Sequence, residues 1–478
     1  MLDKKTKWSY CIGATGRDAA YTLVSMFLLT YIQYTMQLSV VQYATISFIV
    51  IICLIWDAFN DPMMGIIIEN AHLKAGKFKP WILLGVILNA IDIVCLFAIR
   101  PTGWAFVAFF GVGYLLWGMT YTMNDIAYWG MLPSLTSDPK QRNILITLQG
   151  IFICIGQFSV AGLLPDMVAG NAVRAYRNAA IIIAVLFIAF QLLTFFGVTE
   201  SPRQDDGEQS LAFKDMFRIF LRNDQLIVSG IALLFFTVGQ NLLFMIGMNF
   251  FYFEFGYKEG GSLVFLFTVM YGVATLASQA SFAALASKFS RMQLLKGAIL
   301  LIYLGYAMFF LVGYGIPKNV VVINVIGFAI FFAQGLFNMV MIVMVNNTIE
   351  YDQYRFGERH DSIISAVRSF AVKLASAMNQ GLVTLILIIS GIYAISQNIS
   401  NLEILKGKGE ISGEEVLVQA DSFIATTASA QKLILRCGIV LIPMMTITIA
   451  YTILKRKYII DEAKYEELLA GQKERSIC

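Results

Sequence analysis

Long apolar segments alternate with short polar ones along almost the whole chain. Most of the apolar segments have 20 or more residues, the length that an α-helix needs to cross the hydrocarbon core of a bilayer. The pattern predicts twelve transmembrane helices, at residues 9–36, 41–70, 80–99, 103–131, 143–169, 174–198, 224–256, 261–287, 291–314, 319–351, 362–396 and 431–456. We therefore expect an all-α membrane protein.

The polar segments divide the predicted helices into two groups of six. Residues 199–223 form the main polar break, and 397–430 form a further polar loop. The predicted domains are an N-terminal six-helix bundle, a cytoplasmic linker, a C-terminal six-helix bundle and a cytoplasmic tail, at 1–198, 199–223, 224–456 and 457–478. Two six-helix bundles joined by a polar linker are the plan of the major facilitator fold.

Composition supports a membrane protein, and we expect no nucleic-acid partner. The chain is 58% hydrophobic and 14% charged, whereas soluble domains are about a quarter charged. The net charge is only +4, and the basic residues are dispersed in loops without forming a patch. The six cysteines make no CxxC pair, so we interpret them as packing residues.

The distribution of basic residues predicts the orientation. If the N-terminus is inside, most of the 35 Lys and Arg residues fall in segments that face the cytoplasm. We therefore expect a multi-pass protein of the cell membrane, in contact with lipid and with both termini in the cytoplasm.

Carboxylates inside the second predicted helix indicate a cation site. A charge near the bilayer centre costs at least ~2.5–3.5 kcal/mol on insertion scales, so something must offset it. Asp57, Asn60 and Asp61 are spaced i, i+3 and i+4, which places them on one helical face. Two carboxylates there repel each other unless a cation or proton lies between them. Thr122 on the fourth helix offers one more oxygen for Na⁺, Li⁺ or H⁺.

The fourth predicted helix carries a stripe suited to a sugar. Tyr121, Thr122, Asp125 and Trp129 share one side of it. A carboxylate accepts hydrogen bonds from sugar hydroxyls, and an aromatic face covers the apolar side of the ring. Counted along the helices, charges on four of them lie at similar depth, as a central cavity requires: Arg17, Asp57, Asp125 and Lys373.

Structural readings stand beside these functional ones. Asp57 and Asp61 could form ion pairs with Arg17 or Lys373 without binding a cation. The aromatic residues of the fourth helix, Trp117, Tyr121 and Trp129, could be packing residues. Two further charges have no assigned role: Asp92, which is structural or faces water, and Arg368, which is expected to extend to the cytoplasmic edge.

At these residues the sequence resembles the glycoside–pentoside–hexuronide:cation symporters, the melibiose permease group of the major facilitator superfamily. The matching segments are GATGRD at 13–18, WDAFNDPMMG at 56–65, GKFKPWIL at 76–83, LLWGMTYTMNDIAYW at 115–129, RNDQL at 222–226 and IEYDQYRFGERHDSIISAVRSFAVK at 349–373. They run through most of the chain in order.

The resemblance implies roles for the matching positions. It implies that Asp18 and Asp125 bind the sugar, with Trp129 beside them and Arg17 where the family often has lysine. The implied cation ligands are Asp57, Asn60, Asp61 and Thr122. Lys373 is expected in the substrate site, close to these ligands. The implied gating residues, which would pair across the two halves, are Arg142, Glu350, Asp352, Arg355 and Arg359.

Two positions depart from melibiose permeases. Those proteins carry a sugar-contacting arginine on the fifth helix, where this chain has Gln149 and Gly150, and another arginine where it has Leu54. We therefore expect Gln149 in the substrate site and a sugar other than melibiose. Arg17 together with Arg368 would suit an anionic sugar such as a hexuronide.

Together these features predict a transporter, not an enzyme. We expect a monomeric symporter that imports a glycoside, pentoside or hexuronide with Na⁺, H⁺ or Li⁺ by alternating access, with no cofactor besides the coupling cation. One alternative keeps the fold but carries a lysolipid or other non-sugar substrate with Na⁺. A remote alternative is a polytopic enzyme that binds Mg²⁺-diphosphate, which needs Asp-rich motifs on two helices; only the second helix has such a pair.

Overall fold

The computed structural model describes residues 3–71, 76–136, 138–199, 221–357 and 361–477. Its regular elements in these ranges are helices, apart from one isolated bridge between Val312 and Ile316. The helices are α1 Lys4–Thr22, a π-helical turn Leu23–Phe27, α2 Leu28–Thr35, α3 Val40–Asn70, α4 Lys79–Ala98, α5 Trp104–Leu135, α6 Pro139–Val168, α7 Ala172–Gly197, α8 Asp224–Phe255, α9 Tyr257–Ala286, α10 Arg291–Leu311, α11 Val320–Phe356, α12 Asp361–Ile389, α13 Ile392–Lys408, α14 Gly413–Ala425, α15 Ser429–Lys457 and α16 Glu462–Ile477.

Eleven helices in the described ranges are long and apolar enough to cross a membrane. They correspond to the predicted second to twelfth spans. The predicted first span, at residues 9–36, overlaps the stretch from Lys4 to Thr35, in which α1 carries Arg17 and Asp18 and a π-helical turn separates α1 from α2. The count of twelve is therefore not matched exactly, and the first span remains a prediction.

The described residues group into two compact units. The first comprises those within 3–199, 248–265 and 384–432, and the second those within 221–247, 266–383 and 433–477. Four helices, α8, α9, α12 and α15, contribute one end to each unit. Residues 200–220 of the predicted linker lie outside the described residues, and the predicted domain bounds stay a prediction.

In the first unit, two tyrosines fix α1 against α5. The rings of Tyr10 and Tyr128 stack with centroids 4.6 Å apart. The Tyr10 hydroxyl donates to the carbonyl oxygen of Tyr128 over 3.0 Å, and the Tyr128 hydroxyl donates to the carbonyl oxygen of Tyr10. Both side chains are fully buried. This reciprocal pair sets the height of α1 relative to α5 about two turns from the charged residues of α1.

Buried amides fasten the same bundle elsewhere. Asn124 on α5 donates to the carbonyl oxygen of Ile82 on α4 over 3.0 Å. Gln191 on α7 donates to the carbonyl oxygen of Gly13 on α1 over 2.9 Å. Within lipid the apolar surface gives helices little reason to associate, so such hydrogen bonds and close packing determine which faces meet.

The predicted polar loop at 397–430 is largely helical, so that prediction was wrong. The predicted eleventh span ends early, because the chain turns at Gly391, which has a φ of +72°. The new helix α13 is amphipathic and buries Tyr393 and Leu402 within the first unit, where it packs on α2, α7 and α14. A capping box between Ser412 and Glu415 then starts α14. Amphipathic helices of this kind read as polar when hydropathy alone is considered.

A buried carboxylate holds α13 in place. Glu403 is fully buried, and its two carboxylate oxygens accept from the backbone N–H groups of Gly170 over 2.8 Å and Ala172 over 2.7 Å. The hydroxyl of Tyr257, at the start of α9, donates to the same carboxylate over 2.9 Å. Through these hydrogen bonds Glu403 caps the N-terminus of α7 and joins three segments of the first unit.

In the second unit the tail forms α16, which packs on α11. Tyr351, Ile460 and Leu468 form a small buried cluster there. The backbone N–H of Arg291, at the start of α10, donates to Glu462 over 2.7 Å. The predicted C-terminal tail is therefore an ordered helix attached to the ends of α10 and α11.

Candidate functional site

A guanidinium lies between two carboxylates near the middle of α1. Nε and Nη2 of Arg17 donate to Oδ2 of Asp18 over 3.1 and 2.8 Å. Nη1 of Arg17 lies 3.0 Å from Oδ1 of Asp125 on α5. Arg17 and the Asp18 side chain are 2% and 8% exposed, whereas the Asp125 side chain is 31% exposed. Asp125 is therefore the member of the group that a ligand reaches most easily.

Aromatic rings cover the Arg17 guanidinium. Its central carbon lies 4.7 Å from the centroid of the Tyr128 ring and 5.4 Å from that of Trp129. Cation–π contacts of this kind favour the charged group where water is excluded. Trp129 is 38% exposed, so its ring is both a contact of Arg17 and an accessible surface.

Three more aromatic residues form a cluster one to two helical turns away from Arg17 and Asp125 along α1 and α5. The ring of Tyr21 on α1 lies 5.1 Å from Tyr121 and 6.1 Å from Trp117, both on α5. Tyr121 was predicted in the substrate site, whereas Tyr21 was missed. The signal for Tyr21 was its position, because it follows Arg17 by four residues and so shares its helical face.

The predicted cation ligands lie on the facing sides of α3 and α5. The Thr122 hydroxyl donates to Oδ1 of Asp61 over 3.0 Å. Oδ1 of Asp57 lies 2.8 Å from the point where a Cβ would stand on Gly118, so the missing side chain makes room for that carboxylate. Asn60 is buried, and its Nδ2 makes no hydrogen bond to any described residue. Gly118 faces Asp57, and one helical turn further along Thr122 faces Asp61. The same spacing of four residues on α3 and α5 therefore keeps the two helices in register at this site.

Both groups of residues meet on one helix. Thr122, which contacts Asp61, and Asp125, which pairs with Arg17, are three residues apart on α5. Three residues correspond to a rise of ~4.5 Å. The two sites therefore share the rigid segment between them.

Helix α6 contributes two glutamines. Gln149, the predicted substrate residue, is fully buried next to the hydroxyl of Tyr10. Gln157 donates from Nε2 to Oδ1 of Asp18 over 3.2 Å. Gln157 was missed by sequence reasoning, although a glutamine two turns after Gln149 inside an apolar segment was a usable signal.

Three further charged residues that the sequence singled out lie on α4 and α12. Lys373 is half-buried on α12 in the second unit, and its place in the substrate site stays a prediction. Arg368 is exposed on the same helix. Asp92 faces α5 from α4, and its Oδ2 is buried with no hydrogen-bond partner in the described part of the chain.

The predicted gating residues contact partners within their own units. Nη2 of Arg142 donates to the carbonyl oxygen of Thr136 over 3.2 Å. Asp352 is buried, with Arg222 at 3.8 Å, and the exposed Arg355 pairs with Asp224. Pairing across the two halves stays a prediction for these residues.

Two members of the gating set remain. Glu350 is half-buried on α11. Arg359 lies outside the described residues, so its predicted contacts are untested.

Comparison with known proteins places this arrangement in a family. The sequence profile of the MFS/sugar transport protein family matches residues 9–462. The raffinose carrier protein of Pediococcus pentosaceus is 25% identical over 80% of this chain, which spans 62% of that carrier's length. The lactose permease of Lactobacillus delbrueckii subsp. bulgaricus is 24% identical over 97% of this chain and 72% of its own length.

A solved structure shows the same fold. The bacterial homolog of the human lysosomal transporter Spinster, in an inward-facing and unoccupied conformation, aligns with a TM-score of 0.61. The alignment covers 98% of this chain and 96% of that one at 12% identity, which is evidence for the fold alone. The profile match covers most of the chain, which therefore belongs to the MFS/sugar transport protein family, the glycoside–pentoside–hexuronide:cation symporters of the major facilitator superfamily.

Proposed function

We propose that the protein is a secondary active symporter that imports a sugar or glycoside together with a monovalent cation. The observation that carries this proposal is the pair of sites on α5. Thr122 contacts Asp61 and Asp125 pairs with Arg17, one helical turn apart. Cation and sugar would therefore act on the same short segment of one helix. The raffinose carrier and lactose permease among its relatives support a sugar as substrate.

The cation would bind at Asp57, Asn60, Asp61 and Thr122. These side chains supply hard oxygen atoms, which suit Na⁺, Li⁺ or H⁺. The cation would offset the repulsion between the two carboxylates of α3. We propose Na⁺ as the coupling ion, with Li⁺ and H⁺ as the alternatives that the uptake assay distinguishes.

The sugar would bind beside Asp18, Asp125 and Trp129, with Tyr121 and Gln149 as further contacts. Asp125 is the accessible carboxylate, and Trp129 offers an aromatic face to the apolar side of a sugar ring. Gln149 is fully buried next to the Tyr10 hydroxyl, so it would contact the sugar only if the surrounding helices move apart.

Coupling would follow from the shared helix. Cation binding between Asp57 and Asp61 allows α3 and α5 to close, which brings Asp125 into position for the sugar. Binding energies are reciprocal, so the cation raises sugar affinity by the same factor as the sugar raises cation affinity. The loaded carrier then exposes both to the other side by alternating access, with the predicted gating residues closing behind them.

We also propose that the protein acts as a monomer in the cell membrane with both termini in the cytoplasm. Lys and Arg are more numerous in the segments that lie on the same side of the membrane as the N-terminus, which supports this orientation. Cysteine labelling from outside the cell at single positions in the two terminal segments would reveal an inverted topology.

Uptake of labelled glycosides, hexuronides and lysolipids into vesicles, with Na⁺, Li⁺ or H⁺ gradients, tests the function. We expect cation-dependent uptake of a glycoside and its loss in Asp61→Cys. Full cation dependence in Asp61→Cys would contradict the cation site, and uptake of lysolipid alone would contradict the sugar substrate.

A further inference from the structure

The Arg17 guanidinium makes its contacts inside the protein. It contacts Asp18 through Nε and Nη2 and Asp125 through Nη1, and two rings cover it. With 2% of its surface exposed, it has little surface on which a substrate carboxylate could bind without first displacing one of these partners. Arginine binds a carboxylate best through two parallel N–H groups, and Arg17 already uses that edge for Asp18.

Gln157 completes the shell around Asp18. Its Nε2 donates to Oδ1, the carboxylate oxygen that does not accept from Arg17. Both oxygens of Asp18 are thereby held, one by a cation and the other by an amide. A carboxylate oxygen has two lone pairs, so Oδ1 retains capacity to accept from a hydroxyl.

A glycine explains how Gln157 reaches this position. A Cβ on Gly156 would lie 2.3 Å from the carbonyl oxygen of Thr15, which no side chain tolerates, so α6 can contact the backbone of α1 only because residue 156 is glycine. The next residue, Gln157, is then close enough to bond Asp18. Gly156 thus allows α6 to approach α1 closely, and Gln157 uses that approach to bond Asp18.

The charges of this group disfavour an anionic ligand. Two carboxylates share one guanidinium, and the accessible one is Asp125. The carboxylate of a uronide placed within hydrogen-bond distance of Asp125 would meet a like charge, whereas the hydroxymethyl group of the corresponding glycoside would donate to it.

We propose that Arg17 and Gln157 are positioning residues that hold Asp18 and Asp125 as paired hydroxyl acceptors, so that the site selects an uncharged glycoside over its uronide. This inference rests on the proposed function, since it assumes that the ligand is a sugar. It assigns Arg17 to the carboxylates of the protein, in place of the predicted contact with an anionic substrate.

Matched ligands test the selectivity. The p-nitrophenyl galactoside and galacturonide differ only at C6, as do the glucoside and glucuronide. We expect the purified full chain, with saturating Na⁺, to bind the uncharged member of one pair at least ~10-fold more tightly than its uronide. This factor corresponds to the gain of one hydrogen bond to a charged group. Equal or tighter binding of the uronide would overturn this inference while leaving the symport proposal intact. Binding of neither pair, together with no uptake of any other glycoside, would overturn both.

Variants test the positioning role. Gln157→Leu should weaken binding of the uncharged glycoside about 10-fold and leave Na⁺ binding without sugar unchanged. Arg17→Lys, which keeps the charge, should retain part of the binding that Arg17→Gln loses. Ser159→Ala, exposed on the same helix, is the control and should bind both ligands as the parent does.

Two results would contradict the positioning role. The first is a Gln157→Leu variant that binds the glycoside normally. The second is an Arg17→Gln variant that loses uronide binding alone, because that pattern identifies Arg17 as the ligand of a substrate anion.

Discussion

Thr122 on α5 donates its hydroxyl to Oδ1 of Asp61 on α3 over 3.0 Å. The contact joins the two helices at the predicted cation site, and the threonine oxygen keeps a lone pair for a cation. A hydrogen bond to a charged group contributes about 1.5–3 kcal/mol. Thr122→Val should therefore raise the Na⁺ concentration that gives half-maximal uptake by roughly tenfold or more.

The matched variant for this position is Thr122→Ser. It keeps the hydroxyl and removes only a methyl group, so its Na⁺ dependence should stay close to that of the parent. If Thr122→Val and Thr122→Ser behave alike, the hydroxyl is not part of the cation site.

Gly118 leaves the space that Asp57 occupies. A Cβ there would lie 2.8 Å from Oδ1 of Asp57, so Gly118→Ala must displace the carboxylate. Overpacking of this kind costs ~1–3 kcal/mol, which corresponds to about 5- to 150-fold in an equilibrium constant. We expect weaker Na⁺ activation of uptake, measured as a shift in the Na⁺ titration.

The control lies on the same helix. A Cβ on Gly111 would lie 3.4 Å from the nearest atom of Ile49, an ordinary contact. Gly111→Ala should leave the Na⁺ titration in place. A shift of equal size in both variants would show that α5 tolerates no added methyl group, and the specific role of Gly118 would be rejected.

Tyr21 contributes an aromatic surface to the site. Its ring is 39% exposed and lies 5.1 Å from that of Tyr121. Tyr21→Phe should retain sugar affinity, whereas Tyr21→Ala should lose the ring and weaken binding by about 0.5–1.5 kcal/mol, or roughly 2- to 12-fold. Equilibrium binding of the transported glycoside measures this. Equal loss in both variants would instead assign the role to the hydroxyl.

Glu403 makes the stability of the protein depend on pH. Burial raises the pKa of its carboxyl from 4.5 to about 7, although the N–H groups of Gly170 and Ala172, the Tyr257 hydroxyl and the charge of Lys406 oppose the shift. A pKa raised in the folded state means that the folded protein holds a proton that the unfolded chain releases. The contribution of Glu403 to stability is therefore largest below about pH 4.5 and is lost as pH rises through about 7.

At ~1.4 kcal/mol per pKa unit, this shift corresponds to a loss of roughly 3 kcal/mol in the free energy of unfolding as pH rises from about 4.5 to about 7. The thermal unfolding midpoint of the parent should fall between about pH 5 and 8, and Glu403→Gln, which does not titrate, should show a smaller fall. Glu410→Gln, exposed beyond the end of α13, is the control and should keep the slope of the parent. An unchanged slope in Glu403→Gln would contradict the assignment.

Hydropathy was enough to predict eleven of the helices, and charge placement singled out Asp57, Asp61 and Asp125 as candidates whose roles stay predictions. Asp57 and Asp61 were identifiable because carboxylates in an apolar segment require an explanation, and helical spacing placed them on one face. Gln157 was harder to identify, because an uncharged glutamine in a membrane helix has many uses. Its role depends on Gly156, and only the packing of α6 on α1 shows that this glycine is a contact point.

The region after Gly391 shows the other limit. A hydropathy pattern separates apolar from polar segments, but α13 and α14 are amphipathic, and what stabilises α13 is Glu403. That carboxylate caps a helix far away in sequence, at Gly170 and Ala172. No local pattern around residue 403 indicates such a partner.

The π-helical turn at Leu23–Phe27 changes what the first helix can do. A π turn adds one residue to a helical turn, which rotates everything beyond it by about 100° relative to an uninterrupted α-helix. Arg17 before the turn faces Asp125, while Gln33 and Tyr34 after it both donate to Asn249 over 2.8 Å. The angle between the face that carries Arg17 and the face that carries Gln33 and Tyr34 therefore differs from the angle in an uninterrupted α-helix. Deleting a single residue of the turn would leave both groups of partners chemically intact but angularly out of step.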